Sequence, residues 1–247
     1  MNDKCPRAST SPVATAGVAV PLYYTIVTTL SMTAGIFLAA GFTLMLHGIS
    51  KGTPPLSEQL LQALEGGSLW GLILGSFQQA ALRRLVRRLQ LAGGKTTLDE
   101  IGRRRVRDTA AWTVATVAGT TAGLLICIVA AGAITITPHA LQRIAGHALL
   151  GAILGTAQWM ALRRWAAGAA IWIPCSAAAL ALSVPVQEHL QLLPLPLLGF
   201  QPVIVPGAVM GLFLGSVQAL CLMRLAARWK GLQPPQDDEL TRQDSET

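Results

Sequence analysis

The stretch GAILGTAQWMALRR at positions 151–164 decides the fold, because the chain contains its pattern three times. Positions 71–84 read GLILGSFQQAALRR, and positions 211–224 read GLFLGSVQALCLMR. All three share GxxLG[ST]xQxxxLxR without a gap, so seven positions agree in each copy. Self-similarity of this kind is typical of proteins built from repeated structural units.

The copies lie in apolar segments that match the thickness of a bilayer. The chain is 52% hydrophobic and only 13% charged, whereas soluble domains carry about 25% charged residues. A membrane-spanning helix needs about 20 apolar residues, and helices are predicted because unpaired backbone groups in hydrocarbon are unfavourable by several kcal/mol each. Six segments fit: 22–46, 61–82, 109–134, 144–162, 169–190 and 203–223.

A fainter repeat precedes the second and third copies and indicates that the unit has two helices. Trp112 and Trp172 each lie 39 residues before the first glycine of the following copy, and Tyr24 takes the matching place before the first. A two-helix unit begins and ends on the same membrane face, so the copies are parallel repeats around an axis along the membrane normal. The predicted fold is an all-α integral membrane bundle of six transmembrane helices, built as three tandem hairpins with pseudo-threefold symmetry.

Domain boundaries follow from this unit and from where the chain becomes polar. We expect a disordered cytoplasmic tail at 1–18, hairpin repeats at 19–88, 109–166 and 167–228, a basic loop at 89–108 and a second disordered tail at 229–247.

The basic residues predict the orientation. Of 19 Lys and Arg, all but Lys51 and Arg143 fall on one side of a six-span chain. The positive-inside rule places that side, and both termini, in the cytoplasm. The cell membrane is the predicted location, and the net charge of +7 is a topology signal. No nucleic-acid partner is predicted.

The run from Gln158 through Arg164, with Trp172 eight residues later, resembles multi-spanning bacterial proteins that have recurring QWxxLRR helices. The resemblance covers residues 22–226 and departs from the pattern at Gln79, Ala219 and Met223. It implies topology only, because no activity is attached to that group.

Glycines are the first candidate functional residues. Pairs four residues apart lie on one helix face and let a neighbouring backbone approach closely in lipid. Packing within the bundle is the main interpretation, and a homo-oligomer through the same face is the alternative. The residues are Gly71, Gly75, Gly151, Gly155, Gly211 and Gly215.

Glutamines and small hydroxyl residues of the repeat are predicted to form a polar ring around the threefold axis. The ring either joins the helices by hydrogen bonds or lines a path for a polar solute. Its members are Gln78, Gln158, Gln218, Ser76, Thr156 and Ser216.

Arginines at the cytoplasmic side are predicted to contact anionic lipid head groups or to dock a partner protein. Each arginine near an anionic membrane surface contributes a favourable free energy of about 1 kcal/mol. Thr97 and Glu100 form a capping box that predicts a short helix in the basic loop. The arginines are Arg83, Arg84, Arg87, Arg88, Arg103, Arg104, Arg105, Arg107, Arg163 and Arg164.

Groups for catalysis are scarce in the spans. Glu65 is the one acid predicted inside hydrocarbon, and the four histidines lie at the outer end, where a structural role is favoured over a pigment or metal site. HExxH and GxSxG motifs are absent from the sequence. We therefore predict no enzyme, no metal and no cofactor.

The leading functional hypothesis is a membrane scaffold or accessory subunit that packs with itself or in a larger membrane complex. The alternative is a small-solute channel or carrier along the axis. Mitochondrial carriers also have three two-helix repeats, but their P-x-[DE]-x-x-[KR] motif is missing here.

Overall fold

A computed structural model describes residues 12–47, 54–92, 98–133, 139–163, 168–192 and 201–231. The described chain is all-helical, as predicted. Its six α-helices are α1 Pro12–His47, α2 Leu56–Ala92, α3 Leu98–Ala133, α4 His139–Leu162, α5 Trp172–Gln191 and α6 Gln201–Gly231, with a 3-10 turn Ala169–Ile171 before α5.

Five of these helices are long and apolar enough to cross a membrane. The prediction of a multi-pass membrane fold is therefore confirmed for five of the six predicted spans. The predicted second span, 61–82, is not among them. It lies within α2, where Glu65 and the neighbouring glutamines and glycines make the helix more polar than the others. The five qualifying segments are Pro21–Leu46, Ala110–Ala131, His139–Leu162, Ala169–Gln191 and Val203–Leu225.

The helices pack in a closed ring. Each contacts its neighbours in sequence, and α1 also packs against α6. Neighbours run antiparallel: along α2, Gly67 and Gly75 approach Thr121 and Thr113 of α3, so the numbering rises on one helix and falls on the other. The same inversion relates α1 to α2, α3 to α4, α4 to α5 and α6 to α1. Helices α2, α4 and α6 therefore run in one direction.

The basic loop is largely helical. Helix α2 continues to Ala92 and α3 begins at Leu98, so the predicted short helix is instead the first part of a continuous α3. Thr97 of the predicted capping box lies outside the described residues. Helix α1 begins at Pro12, inside the predicted tail, and residues 232–247 also lie outside the described part.

Two apolar clusters form the core, and their members come from all six helices. One includes Leu74, Leu154 and Leu214, each fully buried. The other lies further along α2, α4 and α6, toward the arginines, and includes Trp112 and Trp172, whose rings meet edge to face at 5.7 Å. Between these clusters, α2, α4 and α6 each carry one fully buried glutamine, and these glutamines define the candidate site.

Candidate functional site: a buried glutamine cycle

Three glutamine side chains, one each from α2, α4 and α6, form a closed cycle of hydrogen bonds. Gln78 Nε2 donates to Gln218 Oε1 at 3.0 Å, and Gln218 Nε2 donates to Gln158 Oε1 at 3.0 Å. Gln158 Nε2 completes the cycle by donating to Gln78 Oε1 at 3.1 Å. All three residues have no exposed surface. The sequence-predicted glutamines are thus brought together, and they bind one another.

Two aromatic side chains supply a second donor to the glutamine oxygens. The Tyr24 hydroxyl donates to Gln218 Oε1 at 3.2 Å, and the Trp172 indole nitrogen donates to Gln158 Oε1 at 2.9 Å. A carbonyl oxygen has two lone pairs. Both oxygens therefore accept one bond from a glutamine and one from an aromatic residue.

Hydroxyl groups on α1, α3 and α5 accept the second N–H of each amide. Gln158 Nε2 donates to Thr116 Oγ1 at 3.2 Å. Gln218 Nε2 donates to Ser176 Oγ at 3.4 Å, and Gln78 Nε2 donates to Thr28 Oγ1 at 3.5 Å. Each hydroxyl residue lies four positions after Trp112, Trp172 or Tyr24, so one helix face carries both an aromatic residue and an acceptor.

Trp112 departs from this pattern. It occupies the position on α3 that matches Trp172 on α5, and its side chain is fully buried. Its indole nitrogen has no hydrogen-bond partner among the described residues. Such an unsatisfied buried donor is unfavourable by about 1–3 kcal/mol. The corner of the cycle at Gln78 is therefore the least satisfied of the three.

Apolar layers cover the cycle on both sides. Leu74, Leu154 and Leu214 each lie four residues before a glutamine, one helical turn away, and are fully buried. On the other side, Leu82 and Leu162 lie four residues after a glutamine and are buried in the second cluster. The polar groups thus lie in an environment of low dielectric, where hydrogen bonds are stronger than in water.

The hydroxyl residues that the sequence predicted for the ring do not join it. Ser76 is exposed, and Thr156 is partly buried and donates to the Ala152 carbonyl of its own helix at 2.7 Å. Ser216 is also only partly buried. Each precedes its glutamine by two residues, which rotates it by about 200° around the helix. Thr28, Thr116 and Ser176 take their place.

The repeat glycines face the helix of the next hairpin. A Cβ on Gly75 would come within 3.0 Å of Thr113 Cα, and one on Gly155 within 3.1 Å of Ile173 Cα. On α6, a Cβ at Gly215 would come within 3.0 Å of Thr25 Cα. The other three approach the same neighbours, Gly71 at α3, Gly151 at α5 and Gly211 at α1. All six are buried within the chain, so this face is not open to a second copy.

The α2–α3 contact also has its own polar bonds. Thr120 Oγ1 donates to the Gly67 carbonyl oxygen at 2.9 Å, in the space that a side chain at Gly71 would occupy. Ser68 and Thr121 share a hydrogen bond at 3.2 Å. Small residues thus allow close backbone approach and hydroxyl bonding at the same contact, as is typical of membrane helices.

Arginines near the ends of α2 and α4 contact aromatic rings. Arg84 lies over the Tyr23 ring at 5.5 Å and donates to its hydroxyl at 2.7 Å, and Arg163 lies over Trp159 at 5.4 Å. Arg83 is exposed. The side chains of Arg87, Arg88, Arg103, Arg104, Arg105 and Arg107, and all of Arg164, lie outside the described part.

Described ionisable residues at the opposite end pair with groups of the bundle itself. Arg143 and Glu188 form an ion pair at 3.1 Å between α4 and α5. His147 Nδ1 lies 2.8 Å from the Arg143 carbonyl oxygen of its own helix. Among the described residues, no group of three His, Cys, Asp or Glu could hold a metal ion.

The sequence alone did not reveal that Tyr24 and Trp172 donate hydrogen bonds to the glutamine cycle. Tyr24, Trp112 and Trp172, which the fainter repeat predicted to be equivalent positions, are all buried, with at most 2% exposure. The 39-residue interval from each Trp to the next copy indicated a repeated position, but spacing alone does not reveal which glutamine the position faces. In comparisons with protein families, curated proteins and solved structures, none matches this chain.

Proposed function

We propose that this chain is a non-enzymatic membrane scaffold or accessory subunit, built from three helical hairpins that close around a sealed axis. The glutamine cycle is the single observation that carries the proposal. Its amides bind one another and have no exposed surface. Amides are also neutral and do not ionise near neutral pH. The polar groups at the centre therefore serve to hold α2, α4 and α6 together.

The same cycle supports six spans with pseudo-threefold symmetry. Gln158 and Gln218 lie inside qualifying spans. Gln78 binds both directly, so α2 passes through the bilayer at the same depth, although it is more polar. Matched residues of each hairpin make matched bonds, with Thr28, Thr116 and Ser176 as acceptors. These correspondences favour three copies of one unit.

Closure of the ring between α6 and α1 supports a unit that is complete as one chain. The glycine faces are covered by its own helices, and residues such as Leu30, Val114 and Leu220 project outward with exposures of 64%, 67% and 57%. An apolar outer surface fits lipid or an apolar partner helix. We propose that larger assemblies form through this surface rather than through the glycines.

We also propose an orientation, in which the arginine-bearing ends of α2, α4 and α6 face the cytoplasm. Arg84 and Arg224 each follow a cycle glutamine by six residues, and because α2 and α6 run in the same direction, both lie toward the same end of the bundle. The positive-inside rule assigns this end to the cytoplasmic side of the cell membrane. There, exposed arginines meet anionic lipid head groups.

Reconstitution into liposomes tests the scaffold against the channel alternative. We expect the purified protein to leave the permeability to water, glycerol and monovalent ions equal to that of empty liposomes. The triple variant Gln78→Leu, Gln158→Leu, Gln218→Leu is expected to insert but to unfold more easily. Flux through the unmodified protein that the triple variant loses would overturn the scaffold and support the channel.

A further inference from the structure

Two cysteine thiols meet between α5 and α6, toward the end of the bundle where α6 carries Arg224. Cys221 is 4% exposed and belongs to the apolar cluster that contains Trp112 and Trp172. Cys175 is half-buried and packs against the same cluster. The two side chains are close enough to interact directly with each other, and both are free thiols. Two thiols in contact can form a covalent bond that a single cysteine cannot.

A hydrogen bond of the glutamine cycle sets the register of this contact. Gln218 Nε2 donates to Ser176 Oγ at 3.4 Å. Cys175 is the residue before Ser176, and Cys221 lies three residues after Gln218. Because α5 and α6 run in opposite directions, a step back along α5 and a step forward along α6 lead toward the same end of the bundle. The bond therefore brings the two cysteines to the same level, independently of their own contact.

The matching positions on the other helix pairs carry no sulfur. The residues with the same spacing from the corresponding hydrogen bonds are Ala115 and Ala161 between α3 and α4, and Val27 and Ala81 between α1 and α2. All four belong to the same apolar cluster or pack against it. Packing at this level therefore does not require sulfur, since alanine and valine fill the equivalent space. The thiol pair distinguishes the contact between α5 and α6.

Both thiols lie near one end of their membrane-spanning segments. Cys175 is six residues from the start of Ala169–Gln191, and Cys221 is four residues from the end of Val203–Leu225. At 1.5 Å per residue, these depths are about 9 Å and about 6 Å. A small neutral oxidant such as hydrogen peroxide can enter the bilayer to this depth. It meets Cys175 first, because Cys175 keeps part of its surface exposed whereas Cys221 is buried.

We propose that Cys175 and Cys221 form a reversible disulfide that links α5 to α6 when a peroxide reaches this end of the bundle. The Cys175 sulfur attacks one peroxide oxygen, the O–O bond breaks, and the thiol proton leaves with the other oxygen as water. The product is a sulfenic acid, which condenses with a neighbouring thiol. The Cys221 sulfur attacks the sulfenic sulfur, the S–O bond breaks, and the leaving hydroxide takes the Cys221 proton as a second water. The two thiols lose two electrons in total, and the peroxide gains them.

The disulfide would hold the start of α5 against the last part of α6. Ser176 and Gln218, which join these helices at the glutamine cycle, lie within one helical turn of the two sulfurs. The bond would therefore make the contact between α5 and α6 permanent at the level of the cycle. Exchange with a dithiol reductant restores the free thiols. The pair thus couples the redox state at one membrane surface to the rigidity of one helix pair.

Thiol counting and peptide mapping test this proposal. The full chain with Cys5→Ser and Cys127→Ser is placed in lipid nanodiscs and treated with hydrogen peroxide. We expect both remaining thiols to lose their reactivity toward maleimide in denaturant and to regain it after dithiothreitol. Mass spectrometry of the monomer should find the peptides of Cys175 and Cys221 joined, with two hydrogens lost. Thiols that stay reactive, or a disulfide that joins two copies of the chain, would overturn the proposal.

Single substitutions test the order of the two steps. In Cys221→Ser, we expect dimedone to trap a sulfenic acid on Cys175. In Cys175→Ser, the buried Cys221 should lose its maleimide reactivity more slowly, because the susceptibility of a thiol to oxidation follows its exposure. Faster oxidation of Cys221 than of Cys175 would overturn the assignment of Cys175 as the thiol that meets the peroxide.

A displaced cysteine is the matched control for placement. The control chain keeps Cys175 and carries Cys221→Ala together with Leu212→Cys, which lies on α6 about 14 Å along the helix from position 221. Cysteines whose Cα atoms are more than about 7 Å apart are not bridged without movement of the backbone. We expect no intramolecular disulfide in this chain. Equal cross-linking of the displaced pair would show that random encounter, and not the contact of α5 with α6, makes the bond.

Discussion

The side-chain nitrogen of Gln158 lies 3.1 Å from the side-chain oxygen of Gln78, a residue eighty positions earlier in the chain. This bond joins α4 to α2, which are separated along the ring by α3. Because Gln218 bonds to both residues, the three hairpins meet at one point. Side chains thus connect helices whose backbones are not neighbours.

Loss of one glutamine should affect all three hairpins. Gln158→Leu removes the acceptor of Trp172 and Gln218 and the donor to Gln78 and Thr116, so four buried groups lose this partner. We expect a loss of about 1–3 kcal/mol in the free energy of unfolding. Unfolding in mixed micelles of increasing denaturing detergent measures it.

We expect the triple leucine variant to lose less free energy of unfolding than the sum of the losses of the three single variants. Once all amides are replaced, no glutamine remains unpaired, and residues that share one network are not additive. A triple loss equal to the sum of the three single losses would contradict a coupled cycle. Leu also approximates the volume of Gln, so the comparison isolates the polar bonds.

The two buried tryptophans should respond differently when the indole nitrogen is removed. Trp172→Phe loses a bond to Gln158, whereas Trp112→Phe loses a donor that has no partner among the described residues. Hydrogen bonds between membrane helices contribute about 0.6 kcal/mol on average and at most about 1.7 kcal/mol. We expect Trp172→Phe to be the more destabilising by an amount in this range, as measured by the same unfolding assay.

Both substitutions replace an indole with a smaller phenyl ring in the same apolar cluster. Trp112→Phe is therefore the matched control for lost packing. Equal losses for the two variants would show that the bond to Gln158 adds no stability.

Glycine substitutions should separate interface positions from open ones on one helix. In α4, a Cβ at Gly151 would come within 2.8 Å of Ala177 Cα, whereas a Cβ at Gly146 would have nothing within 4 Å. Overpacking is unfavourable by about 1–3 kcal/mol. We expect Gly151→Ala to destabilise by this amount and Gly146→Ala to be neutral or slightly stabilising, because Ala favours helix. Thermal aggregation in detergent measures the difference.

Accessibility labelling should place the arginine end of the bundle inside the cell. In a variant without native cysteines, Leu192→Cys, at a position that is 82% exposed after α5, should react with an impermeant maleimide on intact cells. Arg163→Cys, just after α4, should react only after the membrane is permeabilised. The reverse pattern would invert the orientation, and a reaction of both on intact cells would contradict the hairpin arrangement.

The sequence alone was sufficient to predict the helical class, because an apolar segment long enough to cross a bilayer has few alternatives to a helix. It also selected Gln78, Gln158 and Gln218 as equivalent residues, since an ungapped pattern repeats them. It indicated that Tyr24, Trp112 and Trp172 are equivalent positions, but it did not identify Tyr24 and Trp172 as partners of the glutamines, because spacing along the chain does not show which side chains meet across the bundle.

Contacts between different hairpins required the tertiary structure. The pattern GxxxG indicates close packing, but it does not say whether Gly151 faces its own hairpin, the next one or another molecule, and here it faces α5. Likewise, Ser76 and Gln78 are two residues apart, yet one is exposed and the other is fully buried. Periodicity along a helix determines which residues share a face, whereas the neighbour at that face depends on how the ring closes between α1 and α6.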